Sequence, residues 1–250
     1  MTHPKRGYRF IAPVTRYGVL PATRTRSSEI VLAGTAGGGA AGLVGGLAYG
    51  VAATIGSDHG SAILAVLSVL TVGVALLGAL GICTGMAAAA RIAGRAWTFS
   101  PVGAAIGGFV TGELFHLLGT RSFSLLIGRA YDGFTGGIEG LTLGGAIALG
   151  AKLAGGIDGS PRRVTAGGAL GGAFAGIVIS LAGGQLMAAS IAGLARSFKG
   201  SQLETGPFGK FADPGVVGSL GQGMITAGEG LLFGGCVVAA IMVRYRRNHG

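Results

Sequence analysis

The stretch Gly34-Thr-Ala-Gly-Gly-Gly-Ala-Ala-Gly-Leu-Val-Gly-Gly-Leu-Ala-Tyr-Gly50 places glycine at positions 34, 38, 42, 46 and 50, inside a segment with no charge between Val31 and Ile55. At 3.6 residues per turn an i, i+4 series stays on one side of a helix, so Gly34, Gly38, Gly42, Gly46 and Gly50 form a nearly bare strip of backbone. In a soluble helix each of these glycines costs about 1 kcal/mol against alanine. In a bilayer the backbone has no better state than the helix, and a small-residue strip lets a neighbouring helix approach closely enough to gain dispersion contacts. The stretch therefore reads as the packing face of a transmembrane helix, and the chain as an all-α membrane protein.

Composition agrees. Half of the 250 residues are hydrophobic and 11% are charged, against about 25% charged in soluble domains. The 53 glycines follow no Gly-X-Y period and come with only seven prolines, which excludes collagen, and the Ala, Leu, Val and Ile between them exclude disorder. A net charge of +10 would suit a polyanion partner, but basic residues flanking apolar spans record membrane orientation, so nucleic acid is not expected as a partner. Cys83 and Cys236 lie in apolar runs, where a thiol acts as a small hydrophobe.

Residues 1–28 carry Lys5, Arg6, Arg9, Arg16, Arg24 and Arg26 without an acid. Pro4, Pro13 and Pro21 break any continuous amphipathic helix there, and the segment reads as a cytoplasmic tail. Six spans follow, at about 30–56, 62–90, 101–120, 133–154, 164–195 and 217–243, each near the ~20 residues a crossing needs. The fifth is long enough to end in an interfacial turn near Gly193. Grouped in pairs they make three helical hairpins, 29–99, 100–159 and 160–250, the last with a short basic tail. With alternating sides, fourteen of the nineteen basic residues fall on the side of the termini. Both termini are expected in the cytoplasm, and the membrane is expected to be the plasma (bacterial inner) membrane, or alternatively an organellar inner membrane.

An internal repeat is also legible. Gly103-Ala-Ala-Ile-Gly-Gly-Phe-Val-Thr-Gly112 aligns with Gly167-Gly-Ala-Leu-Gly-Gly-Ala-Phe-Ala-Gly176, each after a Ser-Pro pair, and Glu139-Gly-Leu-Thr-Leu-Gly-Gly145 aligns with Glu229-Gly-Leu-Leu-Phe-Gly-Gly235. Two spans per unit return the chain to its starting side, so the repeats are parallel and not inverted. Gly38 to Gly46 is a looser third match. Helix packing is accordingly expected at Gly108, Gly112, Gly140 and Gly144 in the second hairpin, and at Gly168, Gly172, Gly176, Gly230 and Gly234 in the third.

Five polar residues inside the spans are candidates for a cation or proton site: Glu113, His116, Glu139, Gln185 and Glu229. A carboxylate within a span costs several kcal/mol unless paired, protonated or wetted. All five fall in the outer half, where a shared polar layer is geometrically possible. The structural alternative has Glu139 and Glu229 at helix N-termini with Arg121 or Arg129 nearby, and Glu113 satisfying His116 at i, i+3. No GxxxxGK[ST], HExxH, GxSxG or paired CxxC occurs, four histidines make no metal site, and neither cofactor nor enzymatic activity is expected. The 197–214 loop, with Lys199, Glu204, Phe208, Lys210 and Phe211, reads as a solvated connector.

Tandem Gly-rich hairpins with a span carboxylate resemble rotary ATPase proteolipids in pattern, and Gly-rich spans resemble those of the mitochondrial translocase family. The first hairpin has no equivalent carboxylate and no translocase signature is present, so the pattern assigns no family. The expected function is that of a structural or interaction subunit, a scaffold in a membrane complex whose partners are the bilayer and other subunits or further copies of itself. The alternative is a small proton- or cation-conducting transporter or channel.

Overall fold

The structure is a computed structural model that describes residues 22–54, 60–94, 98–127, 136–184, 186–190 and 214–249. Six long helices run through it: α1 (Ala22–Thr54), α2 (Gly60–Ala93), α3 (Pro101–Ile127), α4 (Gly137–Leu153), α5 (Pro161–Leu181) and α6 (Pro214–His249), with a 3₁₀ turn at Gly156–Asp158 between α4 and α5. No strand occurs among the described residues. Five of the helices are long and apolar enough to cross a membrane, through Ser27–Thr54, Ser61–Ala93, Pro101–Arg121, Pro161–Leu181 and Leu220–Asn248. The fourth expected span, 133–154, is represented by α4, whose 17 residues fall just short of the usual crossing length.

Local chemistry sets the helix ends. Ser100 and Ser160 precede prolines at the first helical position, where the missing N–H has no intrahelical role; the Ser100 hydroxyl accepts from Gly103 N at 3.1 Å. The end of α5 corrects the expected span 164–195 and its turn near Gly193. Gly184 N donates to Ile179 O at 2.9 Å and Gly183 N to Ser180 O at 3.1 Å, with Gly183 at φ 77°. That is a Schellman close, and it needs the left-handed glycine. After it, residues 187–190 form one helical turn. A second glycine with positive φ, Gly218 (φ 71°, ψ 174°), breaks α6 one turn after its start.

Each helix packs antiparallel on the next in sequence, and α6 returns to α1, closing a six-helix ring. Glycine lies at every one of these contacts. The α1 strip faces α2: a Cβ on Gly42 would stand 2.8 Å from Val72 Cα, and one on Gly46 2.7 Å from Ser68 Cα. Gly85 abuts Gly103 between α2 and α3, Gly108 abuts Gly140 between α3 and α4, Gly150 abuts Gly167 between α4 and α5, Gly172 abuts Gly230 between α5 and α6, and Gly37 abuts Cys236 between α1 and α6. The approach is close because no side chain stands between the backbones.

Along the ring axis the two halves differ. Towards the ends of α2, α4 and α6 the centre is filled by Met86, Phe99, Ile147, Val164, Val237, Val238, Ile241 and Met242, all buried, in a continuous apolar cluster. Arg246 reaches the Gly159 carbonyl at 3.1 Å and Asn248 reaches Glu29 at 2.6 Å at this same end. The outer surface of the bundle is apolar, with Leu32, Val69, Leu170 and Phe174 exposed, as expected of lipid-facing positions.

Candidate functional site

In the opposite half the ring encloses a cavity of about 650 Å³, lined by α1, α2, α3, α4, α6 and residues 186–190. Its wall is mostly backbone and aliphatic carbon because the glycines that let the helices meet also leave the interior without side chains: Gly45, Gly78 and Gly228 all border it. A Cβ on Gly228 would meet nothing within 4 Å. Leu118 and Met224, both exposed, also border it.

Two of the five candidate residues reach this wall, Glu139 and Glu229. Glu229 is half-buried in α6. Its Oε1 accepts from the Tyr49 hydroxyl of α1 and from the Ala188 amide at 2.7 Å, and the Met187 backbone also bonds it. Glu139 occupies the third position of α4, where its Oε2 accepts from Gly136 N at 3.0 Å and occupies the helix N-terminus favourably. Its Oε1 lies against Gly184, 3.0 Å from where a Cβ on that residue would stand.

The carboxylates thus flank the segment that follows α5. That segment leaves α5 beside Glu139, places Leu186, Met187 and Ser190 on the cavity wall, and ends against Glu229, with Met187 packed on Ala53 and Leu67. A helix interrupted at this depth leaves the first amides of the following turn without intrahelical acceptors, and Glu229 accepts from that turn at Met187 and Ala188. The sequence reading places Glu229 near a helix N-terminus; it stands instead about three turns past the break at Gly218, and its ligands come from α1 and the 186–190 segment. Helix-dipole effects fade beyond the first turn.

Among the described residues, Glu113 and His116 do not join the cavity lining. Glu113 points its Oε2 at Gly137, 3.1 Å from the Cβ position there, which puts it at the N-terminus of α4, a favourable place for a carboxylate. His116 lies one turn further along α3, and Gln185 and Arg129 lie outside the described residues. So do the 197–213 connector and most of the basic N-terminal tail. Among the described residues no group of three or more His, Cys, Asp or Glu could hold a metal ion.

Sequence reasoning missed Tyr49 and the Ala188 amide. Tyr49 sits within the glycine strip as its one polar side chain after Thr35, and that is the signal it offered. The hydroxyls of Thr71 and Thr111 also border the cavity but are engaged with their own helices, donating to Leu67 O at 2.7 Å and Gly107 O at 2.9 Å. Comparison with known protein families, curated proteins and solved structures finds no match to this chain.

Proposed function

We propose that the chain is a non-enzymatic, multi-pass membrane protein that works by interaction, as a structural subunit or scaffold of a membrane complex. The observation that carries this reading is the apolar cluster around Met86, Ile147, Val238 and Met242, which closes the ring axis beneath the cavity. A conduit needs a continuous polar path, and the Thr71 and Thr111 hydroxyls, bonded within their helices, add nothing to one. The α1 glycine strip is engaged by α2, so partners meet the outward aliphatic faces and not that strip.

The finer architecture belongs to the same proposal. Parallel hairpin repeats are supported by matched contacts at the aligned positions: Gly108 on Gly140 and Gly172 on Gly230, Gly112 on Gly136 and Gly176 on Thr226, Gly144 on Ala104 and Gly234 on Gly168. Cytoplasmic termini are supported by Arg91, Lys152, Arg162, Arg163, Arg244, Arg246 and Arg247, which gather at one end of the ring, in a bacterial inner membrane or an organellar equivalent.

A proton- or cation-moving role is the second reading, favoured by Glu139 and Glu229 on one cavity wall. One paired experiment separates the two. The chain is purified in mild detergent and, in parallel, reconstituted in vesicles to measure proton and monovalent-cation flux. Stoichiometric co-purifying subunits or a defined homo-oligomer without flux is expected. A solitary monomer that conducts, and stops conducting as Glu229→Gln, would replace the subunit reading with the transporter.

A further inference from the structure

We propose that the cavity binds a lipophilic organic cation, an amine or ammonium compound with a bulky apolar body. This goes beyond the subunit reading and does not depend on it. Three observations converge. The volume of about 650 Å³ lies within the ~300–1,000 Å³ of small-molecule sites. The wall is aliphatic, with Tyr49, Phe115 and Phe233 as its aromatic members and Met187 and Met224 as its flexible ones. Glu139 and Glu229 are the acidic residues on that wall.

Each class of occupant can be weighed against this lining. A neutral acyl chain would satisfy the aliphatic surface but bring no countercharge: Glu139 and Glu229 are hydrogen-bonded by Gly136, Tyr49 and Ala188, yet none of these donors is a cation. A metal ion would have to shed its water for too few oxygens, since the described residues hold no three-ligand cluster and hard cations take six or more oxygen ligands. An organic cation meets both demands. Its charge faces the carboxylates and ring faces, where cation–π attraction adds to ion pairing, and its body replaces empty space between the helices. The methionines adapt to varied shapes, so the site accepts a class of compound and not a single one.

The test uses the full chain in phosphatidylcholine nanodiscs and measures the binding of labelled tetraphenylphosphonium against empty nanodiscs. Saturable binding to the parent is expected. Glu229→Gln keeps the acceptor for Tyr49 and Ala188 but removes the charge, and should weaken binding about tenfold or more, the loss of one charge-assisted contact. Gly228→Phe leaves both carboxylates in place and fills open space, and should abolish binding. It keeps the proposal falsifiable should Glu229→Gln fail to fold. Absence of saturable binding to the parent overturns the proposal, as does parent-like binding by Gly228→Phe. Displacement of the probe by a neutral hydrocarbon of equal size as effectively as by a second organic cation also overturns it, and identifies a lipid-chain pocket instead.

Discussion

At the scale of single residues, Tyr49, Glu229 and the Ala188 amide form a polar junction that ties α1, α6 and the 186–190 segment together. Tyr49→Phe removes one donor and leaves the backbone donors in place, so a loss of about 0.5–2 kcal/mol is expected in detergent-induced unfolding. Glu229→Gln preserves an acceptor oxygen and should assemble like the parent. Glu229→Leu strands the Tyr49 hydroxyl and the backbone donors of Met187 and Ala188 and should cost about 1–3 kcal/mol. Equal stability of the Gln and Leu variants in the same unfolding assay would show that the junction does not hold the segment. Gly183 is a second sensitive position. Its φ of 77° is left-handed, so Gly183→Ala should lower stability by about 1–2 kcal/mol, read as an earlier unfolding midpoint.

At the scale of helices, the glycines differ sharply in what surrounds them. Gly42 and Gly46 face α2 backbone at under 3 Å from the Cβ position, whereas a Cβ on Gly73 meets nothing within 4 Å. Gly42→Leu and Gly46→Leu should each cost about 1–3 kcal/mol or more by forcing α1 from α2. Leu43→Ile, at a half-exposed site, and Gly73→Leu should stay within about 0.5 kcal/mol of the parent. Thermal stability of the four purified variants decides the point; a uniform response would mean that the strip does not bear on the α1–α2 contact.

At the scale of the whole molecule, the alternating helix directions put the 54–60 connection, the end of α3 and the end of α5 at one end of the ring, and the turn between α4 and α5 at the other. With the termini in the cytoplasm, single cysteines at Gly60, Ser122 and Ser201, in a chain with Cys83 and Cys236 replaced by Ala, should react with an impermeant thiol reagent from outside. Thr98 is 2% exposed and would stay silent on either side, so the inner probe belongs at exposed Ser160. Labelling at Ser160 alone in intact cells would invert the orientation.

The i, i+4 glycine spacing and the charge-free runs determined by themselves that the chain is helical and apolar enough for a membrane. These are local properties of composition and period, and a helix in lipid satisfies its own backbone wherever it lies. The break at Gly183 was also written in Gly183-Gly184, yet Leu186, Met187, Ala188 and Ala189 prolong the apolar run, so hydropathy carries the expected span past it. Only the tertiary structure decided which helix each strip meets, that the ring closes α6 onto α1, and that its centre is plugged at one end and hollow at the other. Those outcomes depend on contacts between residues far apart in sequence, 180 positions for Tyr49 and Glu229 and 219 for Glu29 and Asn248. The same dependence explains the candidate site. Five polar residues of similar depth were legible, but whether a carboxylate faces a helix N-terminus, as Glu113 and Glu139 do, or a cavity and a distant hydroxyl, as Glu229 does, is fixed by helix rotation and by which backbone amides are left without an acceptor.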